Sequence, residues 1–206
     1  MIPSRRRIRL PVLASAVALA LAAATFAAAP SGAATTVPIH WQVNASTHIR
    51  SLNMDVQIPT GTFDGEVDLA TGDLTGHLNL PPASKTIRLF GLPLASTTFA
   101  MSENGPITGH VDLATMTVTV NSSFNFAITQ ASASFLPWLN LVGNSCKGKS
   151  PINVAMTGPV DLTGASTFSA EYALPKLKNC GLATPLLNAI IPGGGNTFTA
   201  TFAPAP

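Results

Sequence analysis

The sequence predicts an all-β fold, a single antiparallel β-sandwich or barrel-like domain of about ten strands behind a signal peptide. Three observations lead there. Apolar and polar residues alternate with a period of two in run after run, which sets one face of an extended strand inward and the other in water. Helical periodicity is nearly absent after residue 33. The runs are separated by Gly, Pro, Asn and Ser, the residues that turns require.

Residues 1–33 read as a cleaved signal peptide. Arg5, Arg6, Arg7 and Arg9 form its basic start, Leu10 to Ala29 is mostly Ala, Leu and Val, and Ser31-Gly32-Ala33 offers small residues to a signal peptidase. A retained membrane anchor is the rival reading, because the apolar stretch approaches the roughly 20 residues that span a bilayer. The alanine richness and the small-residue exit favour cleavage. Ser4-Arg5-Arg6-Arg7-Ile8 also resembles the twin-arginine export motif, so both the general and the twin-arginine route stay open. Cleavage would remove four of the eleven basic residues and no acidic one, leaving seven against nine and a net charge of −2. A basic footprint for nucleic acid is therefore absent, and no second long apolar segment follows to serve as a transmembrane anchor. Residues 34–206 are expected to form the antiparallel β domain.

Its first run sets Ile39, Trp41, Val43, Ala45, Thr47 and Ile49 inward. The phase flips near Ser51, after which Leu52, Met54, Val56 and Ile58 take the inner face, so a bulge or tight turn belongs there. The longest run passes from Met116 through Val118, Val120, Ser122, Phe124 and Phe126 to Ile128, roughly 40 Å of strand. Later runs are carried by Ile152, Val154 and Met156, by Phe168, Ala170 and Tyr172, and by Phe198, Ala200 and Phe202. This one-sided pattern suits a sandwich and a closed barrel equally.

One phrase occurs three times. Gly65-Glu66-Val67-Asp68-Leu69 returns as Gly109-His110-Val111-Asp112-Leu113 and as Gly158-Pro159-Val160-Asp161-Leu162. In each copy Val and Leu share a face and Asp points to solvent at the end of a strand, placed to accept hydrogen bonds from the N–H groups of the next turn. Spacings of 44 and 49 residues describe an imprecise internal strand–turn–strand repeat, too irregular for a propeller or solenoid. The first copy alone gathers companion acids. Asp64, Glu66, Asp68 and Asp73 are the only set with enough oxygens in one hairpin to suggest Ca²⁺, and no Asp-x-Asp-x-Asp-Gly loop supports it. No other metal or cofactor is expected.

Catalytic motifs are missing. The four histidines, His40, His48, His77 and His110, form no His-Glu-x-x-His pattern, and neither a Gly-x-Ser-x-Gly elbow nor a phosphate-binding loop occurs. Cys146 and Cys180 suit one structural disulfide in an oxidising compartment. They lie just after and just before two unusually apolar connections, Phe135-Leu136-Pro137-Trp138-Leu139-Asn140-Leu141-Val142 and Leu186-Leu187-Asn188-Ala189-Ile190-Ile191. Leu89-Phe90-Gly91-Leu92-Pro93-Leu94 is a shorter third. Such loops close the ends of a β core, or form the lid of an apolar pocket or a membrane-touching patch lined by Phe135, Trp138, Leu141, Leu187 and Ile190.

The stretches Gly65–Pro82, Pro151–Leu162, Leu174–Gly181 and Gly195–Phe202 resemble secreted all-β proteins of high-GC Gram-positive, actinobacterial type, over nearly the whole chain after the leader. The resemblance implies an extracytoplasmic β-domain and brings no activity with it. The function expected first is a secreted, non-enzymatic β-domain that binds a hydrophobic small molecule, a lipid or a cell-envelope component. A structural or adhesive surface protein acting through Thr/Ser/Asn-rich faces comes second, with a cell-envelope polymer as its partner. An extracytoplasmic hydrolase comes third.

Overall fold

The alternation becomes twelve antiparallel strands: β1 (Thr36–Ile49), β2 (Met54–Asp68), β3 (Asp73–Asn79), β4 (Ala83–Leu89), β5 (Leu92–Glu103), β6 (Ile107–Asp112), β7 (Thr117–Ala133), β8 (Lys147–Gly148), β9 (Ile152–Pro159), β10 (Ser166–Leu174), β11 (Leu177–Lys178) and β12 (Gly193–Pro204). Two of them, β8 and β11, are only two residues long. One short helix, α1 (Thr184–Ile190), precedes β12. The computed structural model describes residues 36–89, 92–161 and 163–205. The expected signal peptide, residues 1–33, and most side chains of the apolar stretch 89–94 lie outside the described residues.

The strands form one sheet in the hydrogen-bonded order β10-β12-β1-β2-β3-β6-β7-β5-β4, with β9 on the other edge of β7. Both β6 and β5 pair with the same edge of β7, in succession: β6 along Thr117–Asn121 and β5 along Phe124–Ala133. β3 passes into β4 through Leu80-Pro81-Pro82, where proline cannot donate to a ladder. The gap between β2 and β7 is thus filled by β3 and β6 at one end and by β4 and β5 at the other.

The sheet curls until its two outermost strands, β9 and β10, lie beside each other, although no ladder joins them among the described residues. The result is a barrel-like wall with one unzipped seam. Inward side chains from the whole circuit meet inside. Ile39 of β1, Val67 of β2, Leu74 of β3, Val111 of β6, Met156 of β9 and Phe168 of β10 all face one interior. The fold is all-β and antiparallel as expected, and the sheet stays open along that seam.

The phase flip after Ile49 is a tight turn. A single 3₁₀ turn, Arg50–Leu52, ends at Asn53 in the left-handed region (φ 44°), and Val56 and Ile58 then take the inner face. Proline at 59 marks a second irregularity, where the β1–β2 register slips between Val43 and Ala45.

At one end of the core, Phe202 packs against Trp41, Phe63 and Phe168 with ring centroids 6.2, 5.9 and 5.8 Å apart, all three edge-on. This geometry adds to the area that each ring buries. Room for Phe63 comes from the Gly65–Gly76 pair, directly opposite each other on β2 and β3. A Cβ on Gly65 would stand 2.9 Å from the Phe63 ring. The glycine of the repeated phrase therefore has a packing role: Gly109 faces Leu74 and Gly158 faces Phe168 in the same way.

Truncating the central ring tests this packing. Phe202→Ala should lower unfolding stability by about 3–5 kcal/mol, measured by urea or guanidinium denaturation of the folded domain. A loss below about 1 kcal/mol would mean that the rings are not mutually supporting.

Candidate functional site

The interior is nearly full. Three small voids among the inward side chains measure about 40, 30 and 10 Å³. A site for a drug-sized or lipid-sized ligand needs some 300–1,000 Å³. None of these three approaches that size, and larger concavities open to the outside.

The loop after β7 is the unusual part of that outside. Phe135 and Trp138 are 77% and 78% exposed. Leu139 and Leu141 are exposed as well, and across the disulfide so are Leu182, Leu186 and Ile190. Of the five residues expected to line a pocket or lid, Phe135, Trp138, Leu141 and Ile190 are exposed, Leu187 is half-buried, and none lines an interior void. They gather at one pole of the barrel as an apolar surface.

That surface is held rigidly from beneath. Asn140 accepts from the Ala131 and Val142 N–H groups at 3.1 and 3.3 Å and donates to the Thr129 and Gly143 carbonyls at 3.1 and 3.0 Å. The Leu141 N–H donates to the Ala131 carbonyl at 2.7 Å. Asn188 does the same for α1, accepting from the Leu177 N–H at 2.6 Å and donating to its carbonyl at 3.0 Å. The Cys146–Cys180 disulfide joins the two loops, and both cysteines are buried. Polar backbone is satisfied inward while large apolar side chains are left in water, the reverse of an ordinary surface loop.

A basic arm adjoins this pole. β8 and β11 pair so that Lys147 stands opposite Lys178, and the Lys149 N–H donates to the Lys176 carbonyl at 2.7 Å. Lys147, Lys149 and Lys178 border a groove of about 410 Å³ against the outer face of β5 and β7, beside Ser102 and Asn125. The sequence reading passed over these lysines. Their signal was available: four of the seven cationic residues after residue 33 fall between 147 and 178, and neither 113–160 nor 172–206 contains an acid.

The three repeated aspartates sit at the opposite pole, where the Val111 N–H donates to the Gly72 carbonyl at 2.7 Å and the Val160 N–H to the Met116 carbonyl at 2.8 Å. Each caps its own turn. Asp68 accepts from the Ala70 N–H at 2.8 Å, Asp112 from the Ala114 N–H at 2.9 Å, and Asp161 from both the N–H and the hydroxyl of Thr163 at 2.9 Å. The Thr115 hydroxyl and the Ala114 N–H hold the Asp112 carboxyl below the ordinary range, and the Thr163 N–H and hydroxyl do so for Asp161.

Three of the four suggested calcium ligands, all but Glu66, are engaged separately. Asp64 meets His40 on β1, Asp68 caps its turn, and Asp73 accepts from the Thr71 hydroxyl at 2.9 Å with His110 at 3.5 Å. Among the described residues no three His, Cys, Asp or Glu side chains are grouped to hold a metal. The remaining histidines also meet carboxylates across strands, His48 with Asp55 at 2.8 Å and His77 with Glu103 at 2.9 Å. No serine or threonine hydroxyl bonds to an imidazole among the described residues, so these pairs lack the third member that nucleophilic catalysis uses.

A second surface is polar and regular. On the outer face of β10, β12, β1 and β2, Thr167 bonds Thr201 at 2.8 Å, Ser169 bonds Thr199 at 2.9 Å, and Thr60 donates to Asn44 at 2.8 Å. These are cross-strand rows of hydroxyls that satisfy each other.

No protein-family model, curated protein or solved structure matches the chain.

Two measurements follow from this geometry. The disulfide closes a loop of 34 residues; replacing both cysteines by alanine should cost about 3–4 kcal/mol of stability in the chain-entropy model, and an unchanged denaturation midpoint would contradict the bridge. The second concerns pH. A carboxyl whose folded value is depressed stabilises the fold above its unfolded value, and the gain is lost as pH falls through the folded one. Asp112→Asn/Asp161→Asn should therefore melt below the wild type at neutral pH, with the gap closing as pH drops below 3.8, the ordinary aspartate value. A gap that persists in acid would mean that the charge contributes nothing to these turns.

Proposed function

We propose that the protein is a secreted, non-enzymatic β-domain that binds a component of the cell envelope through its exterior apolar pole, not through a ligand held inside the barrel. One observation carries this reading. Phe135 and Trp138 are more than three-quarters exposed on loops that hydrogen bonds and a disulfide hold fixed. Aromatic side chains held out in water at no functional gain are rare on monomeric surfaces, and contiguous apolar patches mark contact sites.

The leader at 1–33 and the buried disulfide support action outside the cytoplasmic membrane, where thiols oxidise. The small interior voids count against a carrier that encloses its cargo. A second reading has its own observation. The self-satisfied hydroxyl rows of β10, β12 and β1 offer an uncharged face to a polymer, which supports adhesion through that side.

Co-sedimentation with washed cell envelopes separates the two. The wild type should pellet with envelopes, and Phe135→Ser/Trp138→Ser/Leu182→Ser should lose at least tenfold in apparent affinity with its melting temperature kept. Thr199→Lys/Thr201→Lys should bind as the wild type does. The opposite result, loss in the threonine variant alone, would transfer the function to the hydroxyl face.

A further inference from the structure

We propose that the apolar pole and the lysine arm beside it form one docking surface for an anionic phospholipid bilayer, an inference that rests on the exterior-binding reading above and names its partner. The apolar half is the exposed set Phe135, Trp138, Leu182, Leu186 and Ile190. The lysine half supplies the choice of partner.

Lys147 and Lys178 are directly opposed across the β8–β11 ladder. Like charges in that position destabilise a strand pair. Lys149 and Lys176 are brought together by a backbone hydrogen bond one step further on. Among the described residues none of the four has a carboxylate within ion-pair distance, and Lys147, Lys149 and Lys176 are exposed. The chain after the leader carries net negative charge, so this collection of cations is a local excess, set apart from the aspartate turns at the other pole. Four unpaired cations held against each other call for an anionic partner.

The two halves are linked through the disulfide-joined segments. Cys146 precedes Lys147, Cys180 follows Lys178 by two residues, and Leu182 projects two residues beyond that, wholly exposed. Gly181, with φ 57°, brings this segment up to the Leu141 carbonyl of the facing loop. Leu182, Leu186 and Ile190 recur every four residues and are exposed along the segment 181–190, whereas Asn188 and Ile191 turn inward. An apolar stripe with a lysine collar is the pattern of an interfacial anchor, in which the aliphatic groups enter the acyl boundary and the cations remain among the headgroups.

A purely apolar partner would leave the opposed lysines without counter-charge. An acidic polymer would leave Phe135 and Trp138 in water. An anionic bilayer satisfies both, and reversible binding of this kind needs two signals together. Each lysine near such a surface contributes about fivefold in affinity, screened beyond a Debye length of about 8 Å at physiological salt.

The test uses the protein without its leader and sonicated vesicles, either phosphatidylglycerol mixed with phosphatidylcholine or phosphatidylcholine alone. Flotation should recover the protein with the anionic vesicles at low salt and much less at high salt, with neutral vesicles binding at least tenfold more weakly. Trp138 emission should shift to the blue on binding, and the shift should be absent in Trp138→Phe. Lys147→Gln/Lys149→Gln/Lys176→Gln/Lys178→Gln, all surface changes, should lose about 100-fold or more. Equal binding to both vesicle types, or a quadruple variant that binds as the wild type does, overturns the inference. Binding that survives Phe135→Ser/Trp138→Ser/Leu182→Ser overturns the apolar half of it. Self-association that shields Trp138 before any lipid is added would make a second copy the occupant. If no vesicle is bound while envelopes still pellet the protein, the bilayer is ruled out and the exterior-binding reading stands. If envelopes fail too, both fall.

Discussion

A strand that stays extended for seventeen residues needs hydrogen-bond partners along both edges, and β7 organises the molecule by that need. One edge takes β6 and then β5, and the other takes β9 as far as Phe124. Beyond that point no long strand is left for the second edge. Cys146 and Lys147 pair beside Ile128 and Ala127, Leu141 beside Ala131, and Leu136 beside Ala133. The loop 136–147 therefore runs back along β7 as an irregular substitute strand. Its backbone is consumed in covering that edge; Val142 and Cys146 turn inward, and Phe135, Trp138, Leu139 and Leu141 are left outside. The exposed apolar pole is a consequence of how β7 is completed.

Packing of the interior decides what the repeated Gly-x-Val-Asp-Leu phrase is for. Valine and glycine face inward, valine as bulk and glycine as the gap that Phe63, Leu74 or Phe168 enters. Aspartate faces outward and caps the turn. Leucine falls just beyond the end of the ladder, so Leu69 and Leu113 sit half in water at the rim and, with Val37 and Trp41, border a shallow cleft of about 250 Å³. The phrase is a recipe for finishing a barrel strand at one pole. Nothing in it converges on a common ion among the described residues.

Much of this was legible in the residues alone. Period-two alternation identified the inner face of β1, β7, β9, β10 and β12, because a buried side-chain row leaves that trace whatever the sheet does next. The phase flip at Ser51 announced the turn at Arg50–Leu52. How the sheet curls was not legible, since that depends on β12 returning to β1, a pairing about 150 residues apart that no local pattern encodes. The exposure of Phe135 and Trp138 was not legible either. An apolar loop reads identically as a lid or as a surface, and the difference lies in whether the interior has room. The lysine arm was written plainly in composition but acquires meaning only when β8 meets β11 and sets Lys147 against Lys178.

An apolar side chain on a mobile loop turns back onto its own protein, because any contact removes area from water at about 25 cal/mol per Å². Keeping Trp138 outside therefore requires a backbone that cannot follow that gradient. Asn140 and Asn188 supply it by bonding backbone groups on both sides of each loop, and the buried disulfide prevents the two loops from separating. Their polar capacity is spent entirely within the protein, which leaves the outer surface of the pole with little but hydrocarbon to offer. A partner that recognises this pole must bring its own apolar surface, and it must tolerate or neutralise the lysines at the border. Shape at the tip sets how deeply it can engage, and charge at the collar sets its orientation. With the acid-capped turns at the far end of the barrel, the protein has a fixed polarity along its axis, so contact at one pole presents the aspartate rim away from the bound surface.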